Sequence, residues 1–332
     1  MMMMCVCVCV NAVHLPRLLS QGAADVWTSI SDANVTFSSS FCCNETRHME
    51  NVLASIEALR FCFTDILLTI DVPHGGNKSG KRLFEGGPGG YSEFLNSTWG
   101  TQMITTANQT AQAAVALLQS RCPLSLPGAH LQVLNYDEPA MRTALGSDFG
   151  VNAVGFAFND LYKNTMVYDK LWHLPDTQYV WHADADVRIL RIAEGASPNF
   201  VETSIRLLRS DSRVVLTAPP KNLWGYQLVN LREFDVRWHQ GEALSKTYIL
   251  TPPILTVSVD AFFMDVQRLR SLLPFNSSHA TEQVERIMTP TFQANDAHQV
   301  FLDCSMNVIS EHLSHQRQRW ETCTPFSSRL GL

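Results

Sequence analysis

Two carboxylates, Asp184 and Asp186, stand two residues apart in QYVWHADADVRIL, residues 178–190, where an apolar run ends and before another begins. An unpaired buried carboxylate is costly, and two neighbouring ones repel. A metal ion, a basic side chain or a shared proton must sit between them. On a strand, positions i and i+2 share a face, so this spacing can aim both groups at one ligand. Two hard oxygen donors with open positions suit Mg²⁺ or Mn²⁺, which bind one or two carboxylates together with substrate phosphates. His182 alternates onto the same face as Asp184 and reads as a packed core histidine.

The elements around the pair follow an α/β rhythm. CVCVCV, residues 5–10, reads as a buried first strand ending at Asn11, and residues 17–45 read as polar and irregular. Met49, Val52, Leu53, Ile56 and Leu59 recur at helical spacing. DILLTIDVP is a strand stopped by Pro73, with Asp71 near its end. A glycine- and charge-rich loop covers 73–98, a length that is usually either functional or disordered. TWGTQMITTANQTAQAAVALLQSR is expected to be helical up to Cys122–Pro123, HLQVLNY to be a third strand, residues 158–173 a helix, and TQYVWHAD the fourth strand. Alternating strands and helices imply a parallel sheet, in which ligands bind at the carboxyl ends of strands. Asn11, Asp71, Asp184 and Asp186 all fall at such ends. Further on, FVETSIRLLRS reads as a helix, RVVLTAP as a strand, and ILTVSVDAFFMDVQRLRSLLPF as a strand running into a helix. A long helix is expected over 295–319, with Asn295 as its N-cap.

A strand closed by Asp-x-Asp about halfway along such a chain resembles the GT-A fold of nucleotide-sugar glycosyltransferases, family 2-like, with HADAD as their DXD motif. The likeness covers roughly residues 5–310 and is strongest at 158–190. It implies a mixed, mostly parallel, Rossmann-like sheet flanked by helices in a single composite domain. Residues 1–190 would form the donor half, 191–320 the acceptor half and 321–332 a tail. It also implies transfer of a sugar from a nucleotide-diphosphate sugar, with UDP favoured, to a hydroxyl of a glycan, lipid or protein. Mn²⁺ or Mg²⁺ would be held by Asp184 and Asp186, with Asp184 also reaching the donor's hydroxyls. Asn11, Asp71, Lys163 and Asn164 would face the nucleotide. SVDAFFMDVQRL would support the acceptor site, Asp296 in QANDAHQVFLD would be the catalytic base of an inverting reaction, and His298, His312 or His315 could add a late metal ligand.

Two rival chemistries share parts of these motifs. Gly75, Gly80 and Lys81 satisfy the P-loop spacing, but Arg82 stands where the metal-binding Ser or Thr belongs and no helix opens after it. A haloacid-dehalogenase-type phosphatase also uses Asp-x-Asp after a strand, although normally near the start of its chain. A non-catalytic binding protein that keeps the fold is the third reading.

The whole chain narrows the setting. Its 332 residues, 45% hydrophobic and 17% charged, are globular in composition. A net charge of −6 offers none of the basic surface a nucleic-acid binder needs. The start, MMMMCVCVCVNAVHLPRLL, is too short for a membrane span and lacks the positive segment of a secretory leader. It reads as the ragged start of a fragment, so membrane association is expected only through a segment outside it. Cys5, Cys7 and Cys9 alternate with valine and read as core. Cys42, Cys43, Cys122, Cys304 and Cys323 could form disulfides of open connectivity. Six Asn-x-Ser/Thr sequons, at Asn34, Asn44, Asn77, Asn96, Asn108 and Asn276, favour a secretory or Golgi lumen over the cytoplasm.

Overall fold

In the computed structural model the described residues are 27–42, 49–71, 91–134, 177–184, 187–192, 200–218, 235–238, 247–251, 261–272, 291–302 and 308–312. The expected strand at 5–10, Asn11, residues 73–90 of the loop expected over 73–98, the helix at 158–173 with Lys163 and Asn164, and Asp186 lie outside them, while Tyr91–Leu95 of that loop is helical.

The first strand among the described residues is β1 (Val35–Cys42), inside the stretch that reads as irregular. This corrects the expectation, and the cause is chemical. Thr36, Ser38, Ser39 and Ser40 look like loop residues, yet all are buried. Three of their hydroxyls pair with other segments: Thr36 to Thr177 at 3.1 Å, Ser38 to His182 Nδ1 at 3.2 Å, and Ser40 to Thr69 at 2.7 Å. A buried hydroxyl that keeps a partner avoids most of its desolvation penalty, so a serine-rich strand can run through the core. Val35, Phe37 and Phe41 alternate with these polar positions and join the apolar cluster, where Phe37 packs edge-on against Phe63 at 5.4 Å.

Helix α1 (Glu50–Leu59) buries Val52, Ile56 and Leu59 and ends on Arg60 in the left-handed region, at φ 49°. Strand β2 (Asp65–Asp71) follows. After a short α2 (Tyr91–Leu95), α3 (Thr98–Arg121) spans 24 residues. It is capped by Ser97, whose Oγ accepts from the Gly100 N–H at 2.8 Å. Its buried stripe of Gly100, Met103, Ala107, Ala111, Ala114 and Leu118 lets the helix lie close to β2 and β3 (Gly128–Leu134). A disulfide joins Cys122, just past α3, to Cys62 at the entry to β2.

β4 (Tyr179–Asp184) and β5 (Val187–Ile192) come next, then α4 (Phe200–Ser210), β6 (Val214–Ala218), β7 (Asp235–Trp238), β8 (Thr247–Thr251), β9 (Ala261–Asp265), α5 (Val266–Ser271), β10 (His298–Leu302) and β11 (Val308–His312). Nine strands form one sheet in the order β3-β2-β1-β4-β9-β6-β10-β8-β7. Only β9 and β8 run against the others. The molecule is therefore an α/β protein with a mixed, mostly parallel sheet, and β4 of the first half pairs directly with β9 of the second. β5 and β11 form a separate antiparallel pair.

The long helix expected over 295–319 is replaced by β10 and β11. Asn295 and Asp296 close a helical turn at 291–294 rather than open a helix. The Ala297 N–H donates to Phe292 O at 2.8 Å and the Asp296 N–H to Gln293 O at 3.3 Å, while Asp296 has φ 49°. That is a Schellman end, with Asp296 in the left-handed position that Asp tolerates better than most side chains. The contiguous apolar runs Val300–Leu302 and Val308–Ile309 fit a strand as well as a helix by periodicity, and here they pair as strands.

Candidate active site at the sheet switch point

After β1 the chain builds outward through β2 to β3, then returns to place β4 on the other side of β1. The direction of winding therefore reverses between β1 and β4. In open α/β sheets the crevice beyond the carboxyl ends at such a switch point is where ligands bind. Asp184 is the last residue of β4 and lies in register with Ser40 of β1. Asp71 is the last residue of β2 and lies in register with Cys42 and with Leu134 of β3. The structure thus brings Asp71 and Asp184 to one edge. They flank β1 two strand spacings apart, with a two-residue offset along the strands, which amounts to roughly 12 Å between their backbones.

The Asp-x-Asp segment is held from both sides. Before it, β4 is locked between β1 and β9. Trp181 is fully buried and packs edge-on against Phe200 at 5.4 Å. His182 is fully buried too, bonded to Ser38 and tilted against Phe262 at 5.2 Å, which is the packing role expected for it. After it, β5 lies on α1, where the buried Ser55 Oγ accepts from the Ile189 N–H at 3.1 Å. Only two residues, Ala185 and Asp186, separate β4 from β5, and each flanking strand has its own packing partners.

Two later segments reach the same edge. β9 starts at Ala261, opposite Ala183, so the AFF residues of SVDAFF enter the sheet beside the end of β4. β11 ends at His312, opposite Val187, the residue that follows Asp186. Of the three candidate late histidines, His312 is therefore the one the register brings to the pair. His298 begins β10 at the opposite edge, and His315 lies outside the described residues. Sequence spacing contains no signal for Ser55 or for the pairing of His312, because both depend on which strand lies on which helix.

Asp296 is not at this edge. β10 runs parallel to β6, and both run parallel to β4, so the turn before β10 sits at the amino-terminal edge of the sheet. There Asp296 accepts from His298 at 3.1 Å and faces Arg213 at 3.9 Å. Asp211 bonds both the backbone and the guanidinium of Arg213, at 2.8–3.1 Å. The Arg213 hydrogen bonds pull its pKa down to about 2 against the opposing effect of burial. Arg268 ties this cluster to α5 by donating to the carbonyls of Asp211 and Val214, at 2.9 and 2.7 Å, while Asp265 caps its backbone. These groups hold turns and helix ends together, and the sheet's length separates them from Asp184.

Among the described residues no group of three or more His, Cys, Asp or Glu is placed to hold a metal ion, and the carboxyl groups of Asp184 and Asp186 are not part of that set. No described helix is long and apolar enough to cross a membrane. The chain matches no protein-family model and no curated protein sequence.

Proposed function

We infer that the chain is a metal-dependent glycosyltransferase of the GT-A type, moving a sugar from a nucleoside-diphosphate sugar, UDP favoured, to a hydroxyl acceptor. One observation carries this reading: Asp184, the first carboxylate of Asp-x-Asp, ends β4 at the β1–β4 switch point. The donor set fits Mn²⁺ or Mg²⁺, since Asp184 and Asp186 offer hard oxygens and the β5–β11 register adds the imidazole of His312 as a further candidate. Held there, an ion would supply positive charge to offset that of a departing nucleoside diphosphate. The protein's own part is to bind and orient. Asp71, two strands from Asp184, would mark the nucleoside end of the donor site. Lys163 and Asn164 remain candidates for the donor side. β9 brings the acceptor segment to the edge beside Asp184. Asn11 remains a candidate for the nucleotide, and the Ser40–Cys42 end of β1, between Asp71 and Asp184, is a further one. Asp296, on the far edge, is not assigned the role of base.

The test is turnover. The full chain is incubated with Mn²⁺ and a panel of nucleotide-sugars, and released nucleoside diphosphate is measured. Asp186→Ala lowers the rate by about 100-fold or more if it ligates the ion, beyond the loss typical of an outer-shell partner. An unchanged rate in that variant, or hydrolysis of a generic phosphoester in place of sugar transfer, would overturn the reading.

A further inference from the structure

Three of the six sequon asparagines, Asn34, Asn96 and Asn108, lie among the described residues, and all three are exposed. Each sits on a rigid support. The Asn34 carbonyl accepts from the N–H groups of Gln178 and Tyr179 at 3.1 Å, which pins the backbone just before β1. Asn96 stands at the corner between α2 and α3, its Nδ2 donating to Ser92 O at 2.8 Å. Asn108 lies on the solvent face of α3, next to the buried Ala107. None of the three is on β4, β5 or β9, so a bulky group on them leaves the switch-point edge open. The second observation is independent. Cys62 and Cys122 are joined, with Cα atoms 5.8 Å apart. That separation falls within the usual range for disulfides, and such a bond persists in an oxidising compartment rather than a thiol-rich cytosol.

We propose that Asn34, Asn96 and Asn108 carry N-linked oligosaccharides, attached while the chain folds in an oxidising lumen where Cys62 and Cys122 pair. In the transfer each amide Nδ2 forms a bond to the anomeric carbon of a lipid diphosphate-linked oligosaccharide. The anomeric carbon–oxygen bond breaks, the lipid diphosphate leaves, and one amide proton passes to it or to water. The remaining N–H of Asn96 can still reach Ser92. The two thiols lose two electrons and two protons to a disulfide-bearing oxidoreductase of the lumen. Asn34 fixes the order of events. Its sequon hydroxyl, Thr36, is fully buried and bonded to Thr177, so the folded chain hides the group that marks the sequon. Modification at Asn34 therefore precedes the docking of β1, whereas the sequons of Asn96 and Asn108 stay at the surface.

The proposal is independent of the glycosyltransferase reading. Its test uses the full chain expressed in eukaryotic cells, alkylated before reduction. An N-glycan-cleaving amidase in heavy-oxygen water should mark Asn34, Asn96 and Asn108 as labelled aspartates. The Asn34→Gln, Asn96→Gln and Asn108→Gln variants should each lose one glycan step in gel mobility, and a non-reduced digest should yield one peptide pair linked through Cys62 and Cys122. The folded, unglycosylated protein, offered to the transferase afterwards, should stay unmodified at Asn34. Unlabelled asparagines at these positions overturn the proposal whatever the state of the cysteines, as does alkylation of Cys62 and Cys122 as free thiols. Labelling of Asn34 in the prefolded protein overturns the order of events.

Discussion

The cross-link between Cys62 and Cys122 makes the most quantitative demand on this fold. It closes a loop of 60 residues that contains β2, α2 and α3. In the chain-entropy model a loop of that length lowers the entropy of the unfolded chain enough to stabilise the native state by about 4 kcal/mol. Cys122 is buried at the end of α3, so replacing it by serine leaves packing nearly intact and removes the bond. For a chain of this length the loss corresponds to a drop of roughly 6 °C in Tm. The assay is equilibrium urea unfolding of the wild type, Cys62→Ser, Cys122→Ser and the double variant. Because either substitution alone breaks the bond, each single variant should lose nearly the full amount and the double should lose little more, a coupling of about the whole 4 kcal/mol. Additive small losses, or midpoints unchanged from wild type, would refute the assignment of this pair.

Three further outcomes follow from the packing. Gly100→Ala places a methyl group onto the Phe94 carbonyl at the α2–α3 corner, and should destabilise by about 1–3 kcal/mol in the same unfolding assay. Ser55→Ala leaves the buried Ile189 N–H without its acceptor. It should cost about 1–3 kcal/mol and raise the Mn²⁺ concentration needed for half-maximal nucleotide binding, because β5, which begins at the residue after Asp186, is then held less firmly. Asp211 has a folded pKa of about 2, below its ordinary 3.8. A depressed carboxylate contributes stability that is complete above the unfolded pKa and is lost as pH falls through the folded one. Asp211→Asn should therefore destabilise by about 1 kcal/mol near neutrality, after allowance for solvent screening, and the gap to wild type should close between pH ~4 and pH ~2, read from urea midpoints.

What the sequence reveals tracks how local the governing physics is. α3 is legible end to end, because Ser97, a stripe of small apolar residues and Cys122–Pro123 are all local signals. β2 and β4 are legible for the same reason, with Asp71 and Asp184 at their ends. β1 is not, because Ser38, Ser39 and Ser40 look like a loop until their partners Thr69 and His182 are known from other strands. The C-terminal segment fails in the other direction. An Asn-Asp pair before an apolar run reads as a helix start, while the tertiary structure uses it as a helix end leading into β10. Asp296 moves to the wrong edge with that error. The supports of the candidate site, Ser55 under β5 and His312 beside Val187, arise from pairings across more than a hundred residues and leave no trace in local spacing.

The central claim is that the switch-point carboxylates hold a divalent ion together with a nucleoside diphosphate. The measurement that bears on it most directly is the Tm of the full chain with UDP and Mn²⁺, separately and together, for wild type and Asp186→Ala. A ligand at 100 times its Kd stabilises the native state by about 2.7 kcal/mol, or roughly 4 °C in a chain of this length. The account predicts that shift in the wild type only when both are present, and its loss in the variant. A shift that survives in Asp186→Ala, or no shift with any nucleoside diphosphate and Mn²⁺, would contradict it.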